Sequence, residues 1–477
     1  MMIKLTKIFV LLVSLQCIMA GCKDPWNDHS ELNEPLLGKN LLEVIETNPD
    51  LSRFKDLLVR TGYDKTLASS YKFTVWAPQN SALEQLDESV LNDTARLKQF
   101  VGNYIVSQPY STKISDTVTL RLKTLNGKYV RFGAKKLEGI TLVQQDLFAG
   151  NGVLHVLNGI VYPKQNILEY MNNTSFKQKD YIKSLEYDAI DSARAEQIGV
   201  DPVTSKPIYK PGTGIIKKNY LFDKTGGLAD EGQEYTVILL QDDAIDAELA
   251  KFQPYTGGDH PLVDNAYTVL KDLVFRKAID IDTLKSAELI SDDGVRVPFR
   301  KDAVLEKIKT SNGFIYRMSS ASVALADKIM PVRREGETPD GFSRTDKAGN
   351  IALRLRRAPL SEGAYLYNDI YVFNHKVPLF HVKYNFHKVY KGKYKIYWVA
   401  PNDSQDKTFK QRIAFNNFDG DYLEKTVPLK DYSEVEVGEY TVDKYGDLTV
   451  YIIADNNGTD GINSINLDYF KLVPVLP

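Results

Sequence analysis

Cysteine and histidine carry most of a chain's capacity for nucleophilic and metal chemistry, and here both are scarce. The 477 residues hold six histidines and two cysteines. Cys17 and Cys22 both lie near the start, so the body of the chain has no thiol nucleophile and cannot close an internal disulfide. His375, His381 and His387 recur at a spacing of six. Metal ligands on one element usually lie two to five residues apart, and six residues of strand extend about 20 Å. Asp455-Asn456-Asn457-Gly458-Thr459-Asp460-Gly461 has the composition of a calcium loop. Its sixth position is Asp460 where an EF-hand needs Gly, and its twelfth is Asn466 where it needs Glu. That segment reads either as a hairpin turn or as the seat of a structural calcium ion. There is no Gly-x-Ser-x-Gly elbow and no His-Glu-x-x-His, and Gly212-Thr213-Gly214 lacks the third glycine of a dinucleotide loop. A carboxylate pair for glycoside cleavage forms only in space, and 62 acidic residues single out no pair. The expectation is no catalytic residue, no metal ligand set and no resident cofactor.

Aromatic side chains offer a different chemistry, the stacking of flat apolar faces on sugar rings or protein surfaces. The chain has 28 tyrosines. In its C-terminal third, Tyr365, Tyr367, Trp398, Phe418 and Tyr422 are candidates for such a binding surface; the alternative for each is ordinary strand or core packing.

The elements that position these residues follow from patterning. Lys4 and Lys7 precede an almost wholly apolar run, Ile8 to Ile18, shorter than the roughly 20 residues a membrane-spanning helix needs. Residues 1–21 therefore read as a secretory signal peptide, with an N-terminal anchor helix as the alternative. Met19-Ala20-Gly21-Cys22 resembles a bacterial lipobox, and Lys23-Asp24 resembles the export signal of surface lipoproteins of the Bacteroidota. The resemblance implies lipidation of Cys22, a membrane held through that lipid, and an outer-membrane protein facing the exterior. Residues 22–39, with Pro25 and Pro35, read as a tether. A net charge of −2 argues against nucleic acid as a partner.

Further on, Asn48-Pro49 marks a helix start and Gly62 its stop, with Leu51, Phe54, Leu57 and Leu58 at helical spacing. Asn92 reads as the start of a second helix. Val118, Leu120 and Leu122 alternate as in a strand, and Asn126-Gly127 is a hairpin turn. In Val153-Leu154-His155-Val156-Leu157, His155 shares a strand with apolar residues, which reads as a buried histidine with its ring satisfied by backbone, or else as a ligand. Arg333 to Asn350 is charged and holds three glycines and Pro339, as a linker does. Beyond it, Tyr394, Ile396 and Trp398 share one face of a strand, as do Leu448, Val450 and Ile452, and no helix period intervenes. That is the pattern of an antiparallel sandwich.

Three blocks in this order carry a family resemblance. Phe73-Thr74-Val75-Trp76-Ala77-Pro78-Gln79-Asn80-Ser81-Ala82-Leu83, Thr124-Leu125-Asn126-Gly127 and Asn151-Gly152-Val153-Leu154-His155-Val156-Leu157-Asn158-Gly159-Ile160-Val161-Tyr162-Pro163 resemble the opening, central and closing blocks of fasciclin (FAS1) domains. Glu234 to Ile245, Leu270 to Ile279 as a helix, and Ser311 to Met318 with Lys328 to Val332 resemble a second, divergent copy. The segment Asn466-Leu467-Asp468-Tyr469-Phe470-Lys471-Leu472 resembles the last strand of galactose-binding-like carbohydrate-binding modules. The implied architecture is multidomain: two α+β FAS1 domains, at 40–172 and 173–333, then a linker at 334–350 and an all-β sandwich at 351–477. The second domain carries an insertion at about 201–232, read as a surface loop. The Tyr-His pair linked to integrin adhesion in some animal fasciclin domains is absent, since Asn103-Tyr104-Ile105-Val106 stands at its place.

These resemblances imply a non-enzymatic surface lipoprotein that binds a polysaccharide or protein ligand. Two alternatives remain: an accessory subunit of a SusC/SusD-like outer-membrane uptake complex, and an unrecognised hydrolase.

Overall fold

The computed structural model describes residues 36–115 and 118–477. The leader 1–21, Cys22 and the tether up to Pro35 lie outside the described residues. The chain divides into two compact units that meet between Lys164 and Gln165.

In the first unit the helix Leu41–Glu46 starts on a capping box: Asn40 accepts from the Glu43 N–H, and Glu43 reaches back to the Asn40 N–H. A single turn at Pro49–Leu51 leads into the helix Ser52–Thr61, which buries Phe54, Leu57 and Leu58 and stops at Gly62 in the left-handed region. The helix Thr94–Gly102 is capped by Asp93 rather than started by Asn92, because the Asp93 carboxylate reaches the Ala95 and Arg96 N–H groups. The strands are β1 (Phe73–Pro78), β2 (Ile105–Val106), β3 (Leu120–Lys123), β4 (Tyr129–Gly133), β5 (Lys136–Leu137), β6 (Ile140–Ala149) and β7 (Gly152–Leu157). They form one sheet in the order β2-β1-β7-β6-β5-β4-β3. Its centre is a parallel pair, β1 against β7, and every residue of both strands is buried. Such strands read as continuous apolar runs because both faces are covered.

A side-chain clamp sets the register of that pair. The Asn151 Oδ1 accepts from the Leu41 N–H at 2.7 Å, while its Nδ2 donates to Leu67 O at 2.7 Å and Ser69 O at 2.6 Å. The Phe73 N–H donates to Asn151 O. At the next residue, a Cβ on Gly152 would fall inside the van der Waals radius of the Phe73 carbonyl oxygen, so only glycine allows β1 to lie this close.

In the second unit the strands are β8 (Glu186–Ile190), β9 (Gln197–Val200), β10 (Pro207–Tyr209), β11 (Ile215–Asn219), β12 (Tyr235–Leu240), β13 (Val274–Phe275), β14 (Glu288–Ile290), β15 (Arg296–Pro298), β16 (Val304–Thr310) and β17 (Gly313–Met318). The central sheet runs β13-β12-β17-β16, with β12 parallel to β17. It repeats the clamp. Asn312 Oδ1 accepts from the Ile167 N–H at 3.0 Å, and its Nδ2 donates to Leu228 O and Asp230 O. The Tyr235 N–H donates to Asn312 O, and a Cβ on Gly313 would strike Tyr235 O. The helix Ile167–Asn173 opens on an Asn166/Glu169 capping box, as Leu41–Glu46 opens on Asn40/Glu43.

Three sequence expectations change here. The domain boundary lies at 164 rather than 172, because Asn312 draws the start of helix Ile167–Asn173 into the second unit. The segment 201–232 is not a loop insertion. The departure begins at Glu186 and is an ordered ribbon, β8 pairing with β11 and β9 with β10. The helix placed at 270–279 is Pro261–Leu270 instead, followed by a short turn and β13.

The C-terminal part of the second unit is built from strands apart from two short 3-10 turns. Its strands are β18 (Val332–Glu335), β19 (Gly341–Phe342), β20 (Ile351–Arg357), β21 (Leu366–Val372), β22 (His381–Val389), β23 (Gly392–Val399), β24 (Phe409–Phe415), β25 (Tyr422–Val427), β26 (Val435–Val442), β27 (Gly446–Ala454), β28 (Ile465–Leu467) and β29 (Tyr469–Pro474). Three sheets form: β18-β29-β23-β26, β19-β22-β27-β24-β25 and β20-β21-β28. Their common core holds Tyr384, Ile396, Trp398, Val450, Ile452 and Phe470. The segment 334–350 is not a free linker. β18 adds to β29 and β19 to β22, and Arg333 pairs with Glu335 and Arg334 with Asp340.

Replacing Asn151 by Ala leaves the Leu41 N–H and two carbonyls without their partner. Each buried group so orphaned costs about 1–3 kcal/mol, so N151A is expected to lower unfolding stability by roughly 3 kcal/mol. Urea unfolding followed by circular dichroism checks this, and a loss below about 1 kcal/mol would mean that solvent replaces the clamp.

Candidate functional site

The five aromatic candidates separate into three environments. Trp398 is 2% exposed and Tyr367 6%. Both are corrected here as exposed stacking residues. Trp398 points from β23 into the core, because Tyr394, Ile396 and Trp398 alternate toward the opposite sheet. Tyr367 lies in a small cluster with Ala358 and Tyr432, and its ring meets that of Tyr432 edge-on at 6.2 Å. Tyr365, Phe418 and Tyr422 are 42%, 42% and 50% exposed.

Tyr365 borders a cleft of about 600 Å³ also lined by Glu335, Glu337, Tyr432, Asp468 and Tyr469. Its charges are unevenly paired. Arg333 bonds Glu335 at 2.7 Å and lies over the Tyr469 ring, while Glu434 takes Lys471 and the Tyr469 hydroxyl. Among the described residues, Glu337 Oε2 and the Tyr367 hydroxyl are buried without a hydrogen-bond partner. Asp468 sits where the chain breaks from β28 to β29, its N–H donating to Val399 O. Burial pushes its carboxyl up to about 7, opposed by Arg333 and reinforced by Glu335, Glu337 and Asp369. The cleft can therefore exchange a proton near neutral pH and offers carboxylate acceptors to hydroxyl or cationic groups. Sequence reasoning gave no role to Asp468 or Glu337; the resemblance of residues 466–472 to a module's last strand was the only signal near them.

Phe418 and Tyr422 lie elsewhere, over the five-stranded sheet. The hairpin from β24 to β25 lays Phe418 flat on His381, with ring centres 4.4 Å apart and planes at 25°. Tyr451 stands edge-on to both, at 5.3 Å from His381 and 6.0 Å from Phe418. Two strands support this group: Lys383 of β22 and Ala414 of β24 each pair across to Tyr451 of β27. Tyr422 carries the Arg412 guanidinium over its ring at 4.7 Å, and Arg412 is fixed by Glu424 at 2.7 Å and Asp455 at 3.0 Å. Asn385 and Thr449 pair across the same two central strands, joined side chain to side chain at 3.1 Å. The result is an exposed aromatic platform beside oriented donors and acceptors, a combination suited to stacking on a flat polar ligand. Burial pulls the His381 imidazole below its ordinary value, which favours the neutral ring in the stack.

The other histidines are dispersed. His155 is fully buried between Trp76 and Phe132; its Nδ1 accepts from the Asp146 N–H and its Nε2 bonds Tyr110 O. Burial holds it below the usual imidazole range, and nothing in this arrangement opens it to a ligand. His375 bonds Asn463 O, and His387 pairs with Asp447 at the surface. Among the described residues no group of three or more His, Cys, Asp or Glu is placed to hold a metal ion. The segment Asp455–Gly461 is not a hairpin turn, since it leads from β27 in the five-stranded sheet to β28 in the three-stranded one. Asp455 is engaged by Arg412, and Asp460 lies 3.8 Å from Lys376.

Residues 49–163 match the family model of the fasciclin domain. Human periostin is 24% identical over 141 residues, which is 27% of this chain and 16% of periostin. Human stabilin-1 is 26% identical over 133 residues, 25% of this chain and 5% of stabilin-1. The chain thus spans a small part of the relatives it matches. Among solved structures it is similar to a FAS1 domain pair from the insect cell adhesion molecule fasciclin I, with 13% identity and a TM-score of 0.24 over 59% of this chain and 100% of that one. It is also similar to a family 35 carbohydrate binding module from Clostridium thermocellum, with 17% identity and a TM-score of 0.21 over 31% of this chain and 99% of that one.

The raised Asp468 carboxyl makes a signed prediction. The folded state holds this proton up to about pH 7 while the unfolded chain releases it near its ordinary value. Asp468 therefore costs stability as pH rises from about 4 to 7. Asp468→Asn is expected to raise the melting temperature at pH 8 and to leave it nearly unchanged at pH 4. Equal shifts at both values would show that the carboxyl is not perturbed.

Proposed function

We propose that this chain is a non-enzymatic binding protein of the cell surface, held to the outer membrane by lipid on Cys22, with a glycan as ligand of its C-terminal sandwich. The observation that carries this reading is the Phe418–His381–Tyr451 stack. A large aromatic face is left in solvent on a rigid sheet, with Tyr422, Arg412, Asn385 and Thr449 oriented on the same sheet. Exposed rings over ordered strands lose little conformational freedom when a sugar stacks on them. The anchoring at Cys22 and the outward orientation rest on the lipobox resemblance alone.

We further propose that residues 165–331 form a second fasciclin-type domain. Its support is the repetition of the Asn-Gly clamp, the capping box and the parallel central pair at equivalent positions. The two fasciclin-type parts then serve as spacers and protein-contact modules.

The test is affinity electrophoresis of the full chain through gels containing a panel of polysaccharides. Wild type is expected to be retarded by at least one, and a Phe418→Ala/Tyr422→Ala variant to bind about tenfold more weakly, the value of one or two stacking contacts. Unaltered mobility of folded wild-type protein across the whole panel would sink the proposal.

A further inference from the structure

We propose that strand β20 is a docking edge for a second copy of this chain. β20 is an outer strand of the three-stranded sheet: β21 lies on one side, and among the described residues no strand pairs with the other. The flanking bonds fix which backbone groups are free. The Phe373 N–H donates to Asn350 O at 3.0 Å, and the Ala358 N–H donates to Tyr365 O at 2.9 Å. Alternation along an antiparallel ladder then turns the even-numbered residues of β20 toward β21. The N–H and C=O groups of Leu353, Leu355 and Arg357 face the open edge, together with the C=O of Ile351, whose N–H donates to Ala348 O.

The same odd-numbered residues carry an apolar face out into water. It starts against the core at Ile351 and its cross-strand neighbour Val372, and continues to Leu353, 57% exposed, and Leu355, 70% exposed. Leu366 on β21 and Leu360 just past the strand are 67% and 88% exposed. Together these four leave nearly three whole leucine side chains uncovered. Natural edges are usually blunted by proline, lysine or a bulge. β20 has none of these, its register against β21 is unbroken, and Arg357 turns its guanidinium back to Ala364 O at 3.2 Å.

A second copy fits because Ile351–Arg357 is self-complementary. Antiparallel pairing centred on Arg354 sets Leu353 opposite Leu355 of the second copy and Ile351 opposite its Arg357. Odd residues then meet odd residues, so the free donors and acceptors coincide at the two Leu353–Leu355 pairs, and the Arg357 N–H of each copy meets the Ile351 carbonyl of the other. Such a contact is two-fold and closed. The obstacle would be Arg354 meeting its own counterpart, and the fold removes it. Arg354 forks onto the fully buried Asp369, and Arg356 forks onto Asp403 at 2.7 and 2.8 Å, so neither guanidinium is an unbalanced charge. A strand of this length is about 24 Å long, and with its leucines it would bury on the order of 1,200 Å² in total, the lower end for a specific interface. The dimer is therefore expected to be reversible and concentration-dependent.

Sedimentation of the full chain in density-matched mild detergent tests this, comparing wild type with Leu353→Lys/Leu355→Lys and with Leu262→Lys, a control at an exposed leucine elsewhere. Thermal melting confirms that each variant is folded. The expected result is a concentration-dependent dimer for wild type and for the control, and a halving of the sedimenting mass for the double variant. A wild-type chain that stays monomeric into the high micromolar range, a double variant that still dimerises, or a control that loses the dimer equally would each overturn the proposal.

Discussion

The architecture depends on a buried asparagine followed by a glycine, used twice. Asn151 and Asn312 each spend one carboxamide oxygen on the first N–H of a helix and both amide hydrogens on two carbonyls of a distant loop. No other side chain of that size presents an acceptor and two donors in one plane. The glycine that follows lets β1 or β12 lie against its parallel neighbour with no side chain between. Parallel strands far apart in sequence have no tight turn to set their register, and slippage by one residue would turn a buried face outward. The clamp supplies that register, and the largely apolar central strands can then be packed on both faces.

Much of this is legible in the sequence, and the reasons are local. Asn48-Pro49, Gly62 and the spacing of Phe54, Leu57 and Leu58 specify a helix by capping and periodicity alone. The fasciclin resemblance of residues 73–163 rests on residues that the fold needs for geometry, Gly152 and Asn151 among them. What the sequence hid depends on pairing across long distances. Arg333, Arg334 and Glu335 look like linker residues because they are charged, yet an edge strand needs only alternate contacts, and Arg333 is accommodated over Tyr469. The ribbon from Glu186 to Asn219, of which the sequence suggests only a loop at about 201–232, is hidden because its strands are short and its apolar residues, Ile190 and Ile215 among them, face water.

At the candidate site the aromatic residues are the ones whose exposure depends on partners distant in sequence. Trp398 and Tyr422 both sit in strand patterns, and alternation cannot say which face of a sandwich strand meets the other sheet. The deciding fact is the partner: Trp398 is on a strand flanked by β26 and β29 with a second sheet over it, while Tyr422 is on the outermost strand of its sheet. Tyr367 was lost to the same ambiguity, since Tyr365 and Tyr367 share a parity yet only the second is covered, by Tyr432 from a distant loop. The six-residue spacing of His375, His381 and His387 is too wide for metal ligands on one element and points to no role for His381, which the structure makes the underside of a stack.

The second unit also joins its helical part to its sandwich without a flexible link. The Lys391 N–H donates to Tyr255 O at 2.9 Å and the Tyr445 N–H to Gly257 O at 2.8 Å, so the sandwich is bonded backbone to backbone onto the turn after helix Asp242–Phe252. Lys444 pairs with Asp259 beside these bonds, and Lys388 lies over the Tyr267 ring. Tyr390 and Tyr445 fill the seam with rings 5.3 Å apart, buried enough that both phenols are pushed well above their ordinary value. Behind the seam, Lys328 is locked between Asp272 and the Thr268 carbonyl, and Ser291 takes the other Asp272 oxygen. A buried ion pair of this kind contributes little net stability but is costly to break on one side, so it fixes the turn Leu325–Lys328 within the helical part more than it strengthens the fold. A load applied to the sandwich therefore passes into the helical part through main-chain bonds and packed rings rather than through a hinge.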